Sequence, residues 1–289
     1  MLILYTDTDT DLTLKEANYY GYKMISMPYL YEGKEVKPYE DFLEFDYKEF
    51  YDMLRRGVLP TTCALSPEVY KKYFEEEFKN GNDILYVHFS KAMSGTFNSM
   101  HVAYKELKEK YPERTLYTID TKGITILSNI IVKEIGEMYK QGKTIEEILD
   151  WTEKEVDHFA TYFFADDLKF FKRSGRISNF SAIMGNIIGI KPIIYMDQNG
   201  QMTNIGKERG KVKALARLVN YVKELSVDID KHKVIIGHAD ALDLAHELGD
   251  LLIKEFNNKL DIEYVAVNPT AGSHCGPDTV GVAFYAKHK

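Results

Sequence analysis

Three small residues, Ser94, Gly95 and Thr96, stand between an apolar segment and a segment with helical spacing of apolar side chains. Residues 84–89 predict a buried parallel strand, and the apolar positions that follow Thr96 predict a helix. The start of a helix exposes unpaired backbone N–H groups and carries a partial positive charge, which together favour an anion. Ser94 adds a hydroxyl group, and Gly95 lets a ligand approach the main chain. This spacing predicts a small-anion site, with simple capping of the helix by Ser94 or Thr96 as the alternative.

A second hydroxylated segment, residues 61–63, precedes another predicted helix. Ser66 is a favourable N-cap and Pro67 suits the first helical position, so Thr62 is held close to a helix entrance, as Ser94 is. Cys63 is a candidate reactive thiol, because a helix N-terminus stabilises a thiolate. No histidine or second cysteine lies near Cys63 in the sequence, and an unreactive thiol is therefore favoured.

Candidate metal ligands and catalytic residues are few. Asp7, Asp9 and Asp11 alternate as in a calcium-binding loop, but the glycine and the distal glutamate of an EF-hand are absent. We therefore expect no metal, and we expect these side chains to cap and solvate a loop. His274 together with Ser94 would suit a hydrolase or acyltransferase, yet the chain has no Gly-x-Ser-x-Gly elbow and no evident carboxylate to orient the histidine. A hydrogen-bonded structural histidine is the other interpretation of His274.

Composition limits the class of protein. The 289 residues carry a formal net charge of −7, which argues against general binding of nucleic acid. No apolar run reaches the ~18 residues of a transmembrane helix, and the N-terminus lacks the pattern of a signal peptide. The two cysteines, far apart in the sequence, predict a reduced and cytoplasmic protein. The 21 tyrosines and 15 phenylalanines must line the interior or a large pocket.

The order of predicted elements indicates an α/β fold with two domains. Strand and helix patterns alternate up to about residues 160–168, which predicts a mainly parallel sheet. Beyond that point Asn199-Gly200, between two alternating segments, predicts a β-hairpin. We place an N-terminal domain at residues 1–163 and a C-terminal domain at residues 164–289. Ser178 is predicted to cap a short apolar helix that reaches Ile188.

Basic residues cluster in two places of an otherwise acidic chain. Lys172, Arg173 and Arg176 lie in one predicted turn. Four others open the helix that is predicted after the hairpin: Lys207, Arg209, Lys211 and Lys213. Local positive charge steers negatively charged partners, whereas a solvated helix face is the simpler alternative. We predict a partner-facing basic rim made of Arg176, Lys207, Arg209 and Lys211.

Six segments, taken in order, resemble the DegV family of bacterial fatty-acid-binding proteins. They begin at residues 6, 62, 94, 168, 191 and 272 and read Thr-Asp-Thr-Asp-Thr-Asp-Leu, Thr-Cys-Ala-Leu-Ser-Pro, Ser-Gly-Thr, a segment ending in Gly-Arg-Ile-Ser, Lys-Pro-Ile-Ile, and Gly-Ser-His-Cys-Gly-Pro. Each is weak alone, whereas six in the same order over nearly the whole chain are fairly specific. Two positions depart from the family pattern: Ala64 stands where the family has glutamine, and Asp278 where it has glycine.

The resemblance implies the EDD fold, with an N-terminal mainly parallel α/β domain and a C-terminal α+β domain whose sheet is mostly antiparallel. It implies one long-chain fatty acid between the domains, its carboxylate on Thr62 and Ser94 with His274 close by, and Gly95 and Thr96 complete this predicted site. The implied protein is a lipid carrier of phospholipid metabolism, not an enzyme, and it presents the fatty acid to a fatty acid kinase that makes an acyl-phosphate.

The implied partners follow from that role. ATP and magnesium belong to the kinase, so no cofactor is expected in this chain. Transient contact with an anionic membrane surface is compatible with the basic rim, and nucleic acid is not an expected partner. A soluble protein that binds a sugar or phosphate through the same loops is the remaining alternative to the carrier and the hydrolase.

Overall fold

The described part of the chain folds around three β-sheets. The computed structural model describes residues 1–178, 189–257 and 260–289. The helix predicted from Ser178 to Ile188 lies outside these described residues. Within them, no helix has both the length and the apolar character needed to cross a membrane.

The first sheet is parallel and has four described strands. In spatial order these are β2 (Tyr22–Ile25), β1 (Leu2–Asp7), β6 (Asp83–His88) and β7 (Leu116–Asp120). Every residue from Ile84 to His88 is buried, which explains why this segment has no polar alternation. The carboxyl ends of β1 and β6 lie at the same edge of the sheet, because the two strands are parallel neighbours. The loops that follow Asp7 and His88 therefore start side by side.

Helices surround this sheet, and the residues that cap them are those that the sequence indicates. The helices are α1 (Leu14–Tyr20), α2 (Tyr47–Arg55), α3 (Pro67–Lys79), α4 (Thr96–Lys110), α5 (Ile126–Lys140) and α6 (Ile145–Glu155). Ser66 accepts a hydrogen bond from the Val69 N–H at 3.4 Å, and Pro67 occupies the first turn of α3. Thr144 and Glu147 form a capping box at the start of α6. A good N-cap is worth about 1 kcal/mol of stability.

A small antiparallel sheet of three strands carries Thr62. Its order is β4 (Lys34–Val36), β3 (Tyr29–Tyr31) and β5 (Thr61–Thr62). Thr62 pairs with Tyr29, and the residues after it lead directly into α3. The backbone of Thr62 is therefore fixed by a strand partner on one side and by a helix start on the other.

The third sheet is mixed and has seven described strands. In spatial order they are β13 (Asp261–Ala266), β12 (Lys233–His238), β14 (Val280–Tyr285), β8 (Phe159–Phe164), β10 (Ile190–Met196), β11 (Met202–Arg209) and β9 (Ile177–Ser178). Four neighbouring pairs are antiparallel and two are parallel. The remaining helices are α7 (Leu168–Ser174), α8 (Lys211–Leu225), α9 (Leu242–Glu255) and α10 (Pro269–Cys275). A parallel sheet followed by a mostly antiparallel one confirms the predicted fold.

Strands β10 and β11 form the hairpin that the Asn-Gly pair predicts, but the hairpin is longer than expected. The pairing continues until Ile190 lies opposite Arg209. Lys207 and Arg209 therefore belong to β11, and the expectation that they open a helix is wrong. Gly210, with a φ of 83°, separates the strand from α8, which begins at Lys211. Alternate residues of a strand face the same side, and Lys207 and Arg209 are both exposed.

A continuous core joins the parallel sheet to the mixed sheet. The larger hydrophobic cluster includes both Leu4 of the parallel sheet and Ile194 of the mixed sheet. The Tyr51 hydroxyl also donates to the Val267 carbonyl at 3.0 Å, which ties α2 to the segment after β13. Strand β8 lies wholly in the mixed sheet and includes residues 163 and 164, between which we place the domain boundary. That boundary stays a prediction.

Candidate functional site

A largely apolar cavity lies between the parallel sheet and the mixed sheet. It contains about 970 Å³ of empty space, part of which opens to solvent. Both halves of the chain supply its apolar wall, which includes Met27, Phe89, Ile126, Phe163, Met196 and Val267. Such a wall suits a ligand that is mostly hydrocarbon.

Thr62 and His274 form a polar pair on the cavity wall. The Thr62 Oγ1 and His274 Nε2 atoms are 2.9 Å apart and join two residues that are 212 positions apart in the chain. Burial, with the nearby positive charges of Arg176 and Arg173, lowers the pKa of His274 to about 4. The imidazole is therefore neutral near pH 7 and donates from one ring nitrogen only.

Ser94 lies on the same cavity wall. Its Oγ atom accepts a hydrogen bond from the Thr96 N–H at 3.2 Å and so satisfies a free N–H in the first turn of α4. A hydroxyl that accepts one hydrogen bond still has its own proton to donate. The capping role and the role of an available donor are therefore compatible at Ser94.

The structure does not bring Gly95 and Thr96 into this cavity. The Thr96 hydroxyl is buried, accepts from the Leu65 N–H at 3.1 Å and shares a hydrogen bond of 3.0 Å with the Tyr70 hydroxyl. These bonds hold the segment after β5 against α4. Gly95 lines a separate surface cavity next to the main one. Both residues support the frame of the site and do not form its wall.

The predicted basic rim does not form one surface. Arg176 borders both the main cavity and the surface cavity beside it. It precedes β9, which pairs with the start of β11. Lys207 and Arg209 lie near the other end of β11, roughly 16 Å or more away at ~3.3 Å per residue. Lys211 forms an ion pair of 3.4 Å with Asp166. Arg176 is thus the member of this set that borders the cavity.

Comparison with known proteins assigns this architecture to a family. The model of the DegV family, which is described as a family of uncharacterised proteins, matches residues 2–287. The chain belongs to the DegV family. A DegV domain-containing protein of Clostridium perfringens is 34% identical over 247 residues, which cover 85% of this chain and 84% of that relative.

Solved DegV structures share the fold over nearly their whole length. A fatty acid binding DegV family protein of Streptococcus agalactiae has a TM-score of 0.85 and 26% identity, and the match covers 100% of this chain and 99% of that one. A stearic acid-binding protein of Eubacterium ventriosum has a TM-score of 0.85 and 21% identity over 99% of each chain. At the lower identity the likeness concerns the fold alone, and it agrees with the architecture described above.

In this DegV-family chain, Arg173 ties the segment before β5 to helix α10. Its guanidinium group donates to the Leu59 carbonyl at 2.6 Å, to the Pro60 carbonyl, and to the Ser273 carbonyl at 3.2 Å. These two segments carry the threonine and the histidine of the cavity. Arg173 is therefore a positioning residue, and not the free surface charge that its place in a basic turn suggests. The sequence signals the basic turn but not the carbonyl partners, which are 100 to 114 residues away.

The three aspartates of the first loop are buried, and the expectation of a solvated loop is wrong. Asp7 accepts a hydrogen bond from the Tyr86 hydroxyl at 3.0 Å, and Asp11 accepts two from Asn268. Burial raises the pKa of Asp7 and of Asp11 to about 7, and it raises the pKa of Asp9 well above the usual range. Asp9 lines the cavity, which the alternating pattern did not predict. Within the described ranges, no three His, Cys, Asp or Glu side chains are grouped to hold a metal ion.

Neither the thiols nor Ser94 has the surroundings of an activated nucleophile. Burial and a neighbouring glutamate raise the pKa of Cys63, and burial raises the pKa of Cys275 to about 12. Both thiols are therefore protonated near pH 7, which contradicts a reactive Cys63. His274 bonds to Thr62, and in the described part of the chain no hydrogen bond joins it to Ser94. The pairing needed by a serine hydrolase is thus not formed.

Proposed function

We propose that this chain binds one long-chain fatty acid in the cavity and presents its carboxylate to a fatty acid kinase. The observation that carries the proposal is an apolar cavity bordered by neutral hydroxyl donors and one arginine. Two proteins of the same fold support it, since one is described as fatty acid binding and the other as stearic acid-binding.

Thr62, Ser94 and His274 suit a carboxylate because they supply donors without any negative charge. In one tautomer the neutral His274 donates from Nε2 to the Thr62 oxygen, which leaves the Thr62 proton free for the ligand. A bound carboxylate selects that tautomer, because the other one directs the Thr62 proton to the imidazole. Ser94 offers a second hydroxyl proton, and Arg176 adds a positive charge beside it.

The acyl chain supplies most of the binding free energy in this proposal. A chain of about fourteen methylenes gains roughly 11 kcal/mol on full burial at ~0.8 kcal/mol each. The loss of ligand freedom and the ordering of the chain reduce this gain considerably. Each hydrogen bond at the head contributes only about 0.5–1.5 kcal/mol. The apolar wall therefore sets affinity, and the polar groups set the direction in which the carboxylate points.

Presentation to a kinase requires that one carboxylate oxygen stays within reach of a partner. Ser94 and Arg176 border the main cavity and also the surface cavity formed with residues 91–95, 97, 98 and His101. A carboxylate bound beside them lies next to that surface. The kinase transfers the γ-phosphoryl group of ATP to the exposed oxygen, which gives an acyl-phosphate and ADP. This chain contributes binding and orientation, and the kinase contributes ATP and magnesium.

Native mass spectrometry of the purified chain tests the binding step. We expect an added mass of a long-chain fatty acid that disappears on denaturation. Val267→Asp, which places a charge in the cavity wall, should abolish the added mass. Val212→Asp is the matched control, because Val212 is 73% exposed on α8. Ester turnover without a bound lipid, or a bound sugar phosphate, would instead support the hydrolase or the small-anion alternative.

A further inference from the structure

Asp9 is a buried acid with one carboxyl oxygen that lacks a hydrogen-bond partner in the described part of the chain. It is 5% exposed, and its Oδ1 atom has no partner in the described part of the chain. The neighbouring acids differ, since Asp7 accepts from the Asp9 N–H, the Tyr86 hydroxyl and the Phe89 N–H. Asp11 accepts two hydrogen bonds through its Oδ1 atom, although its Oδ2 atom lacks a partner among the described residues. Asp9 is the member of the three whose side chain takes no part in holding the loop.

The backbone holds Asp9 at the cavity wall. Its N–H donates to Asp7 Oδ1 at 3.0 Å, and its carbonyl accepts from the Thr125 N–H at 2.7 Å. Asp9 and Thr125 both line the cavity, and the Thr125 hydroxyl makes no capping hydrogen bond to α5. A carboxyl and a hydroxyl group thus form a second polar spot on a wall that is otherwise mostly apolar.

This spot is built on other elements than the predicted head-group site. Asp9 follows β1 and Thr125 precedes α5. The head-group residues lie on β5, before α4 and on α10, respectively Thr62, Ser94 and His274. Within the described residues, no hydrogen bond links Asp9 to the head-group side chains. A ligand whose carboxylate lies at the head-group site therefore meets Asp9 with another part of its length.

We propose that Asp9 makes the cavity selective for an acyl chain that carries a hydroxyl group away from its carboxylate; this inference rests on the proposed function. A plain methylene chain covers the Asp9 carboxyl without giving it a partner, which leaves a buried polar group unsatisfied. A hydroxyl group both donates and accepts, so it pairs with a neutral carboxylic acid in either direction. Burial and the two neighbouring aspartates raise the pKa of Asp9, which favours that neutral form. The preferred ligand class is therefore a long-chain hydroxy fatty acid.

Displacement of a bound fluorescent fatty acid at pH 7 tests the preference. The competitors are stearic acid and a series of hydroxystearic acids with the hydroxyl at different positions along the chain. We expect at least one isomer to bind about tenfold more tightly than stearic acid, since a site with an unpaired polar group discriminates against the analogue that lacks the hydroxyl. Equal or weaker binding of every hydroxylated isomer would overturn the inference.

Two variants assign the preference to Asp9. Asp9→Leu should bind stearic acid at least as tightly as the native chain and should lose the preference for the hydroxylated isomer. Asp9→Asn keeps a donor and an acceptor in the same volume, so this variant should retain most of the preference for the hydroxylated isomer. A preference that survives in Asp9→Leu would refute the role of Asp9. Failure of the native chain to bind stearic acid or any isomer is a different result, because it removes the proposed function itself.

Discussion

At the scale of single residues, the cavity depends on side chains that burial keeps neutral. The imidazole of His274 loses its charge because burial and two arginines oppose protonation. The carboxyl of Asp9 keeps its proton because burial and two aspartates oppose ionisation. Opposite types of group thus reach the same neutral state by the same physical cause, the loss of water around them.

Replacement of Thr62 by valine keeps the shape of the side chain and removes its hydroxyl. We expect fatty acid affinity to fall about fivefold, which corresponds to one hydrogen bond of ~1 kcal/mol. Acyl-phosphate formation by the kinase should fall much further, because the carboxylate loses its fixed direction. Ligand titration and kinase turnover measure the two effects. Thr62→Ser retains the hydroxyl and is the control; an equal turnover for valine and serine variants would argue against a head-group role.

The proton on Asp9 predicts a dependence of stability on pH. The pKa of Asp9 is raised in the folded chain, whereas the unfolded chain ionises near pH 4. Stability from this group is complete below that pH and is lost as pH rises, with a slope of at most ~1.4 kcal/mol per pH unit. Asp9→Asn should therefore gain stability over the native chain between pH 5 and 8, in urea unfolding at each pH. His274 contributes the opposite slope, and Asp7 and Asp11, whose pKa values are raised to about 7, contribute a slope of the same sign. All three are present in both chains, so the difference between the two stability curves reports on Asp9, and parallel curves would show that Asp9 is ionised when folded.

At the scale of elements, one turn shows how the chain accommodates a departure from the family pattern. Asp278 has a φ of 61°, a left-handed conformation that glycine adopts without strain and that aspartate tolerates better than most residues. Its Oδ1 atom accepts from the Arg55 guanidinium at 3.0 Å, and Arg55 also pairs with Asp240. The aspartate thus gains a partner in α2 that glycine does not offer.

Arg173 is the contact between secondary-structure elements that we expect to matter most for the site. Arg173→Met removes three hydrogen bonds to backbone carbonyls, so we expect a loss of about 2 kcal/mol in the free energy of unfolding. Fatty acid binding should weaken as well, because Arg173 no longer holds the segment before β5 close to α10. Chemical denaturation and ligand titration measure the two effects. Lys172→Met is the control on the same helix, since Lys172 is exposed; similar losses in both variants would contradict the positioning role.

Local features of the fold can be predicted from the sequence because they depend on residues close together in the chain. The capping box of α6, the hairpin turn and the burial of β6 are of this kind. The position of β14 between β12 and β8 is not, because those pairings join distant segments. The sequence pattern places Lys207 and Arg209 in a helix, because a run of basic residues is as typical of an exposed helix face as of an exposed strand of a hairpin.

The candidate site divides in the same way. Ser94 and Thr62 can be proposed as donors from their places before two helices. The contact between Thr62 and His274 joins residues that no local pattern connects, and only the resemblance to a family brings them together. The burial of Asp9 and the partners of Arg173 depend on long-range packing, so neither a spacing nor a motif predicts them.

At the scale of the whole molecule, a net charge of −7 coexists with a local positive strip on β11. Lys207 and Arg209 face solvent on this strand and are set apart from the cavity. Charges in such a position act on the approach of a partner more than on a ligand inside the protein. The strip is therefore a candidate contact for the proposed kinase, while a solvated strand face stays the alternative.

Reversal of both charges, Lys207→Glu with Arg209→Glu, tests that alternative. We expect unchanged fatty acid content and a several-fold slower kinase turnover at low salt. The difference should shrink at higher salt, because the screening length is only about 8 Å at physiological ionic strength. Lys143→Glu, just before α6, with Lys154→Glu on α6 changes the net charge equally and serves as the control. Equal turnover in the two double variants would identify the strip as a solvated face.

The contacts that tie α2 to the mixed sheet also bear on how long a cargo stays bound. The Tyr51 hydroxyl bonds to Val267, and Arg55 pairs with Asp240 and Asp278. The walls of the cavity come from both sheets, and we expect a proposed acyl cargo to be released when these walls separate. Residence time then follows the opening rate of the protein and not the affinity of each cargo. On the proposed function, we therefore expect fatty acids of different length to leave at similar rates.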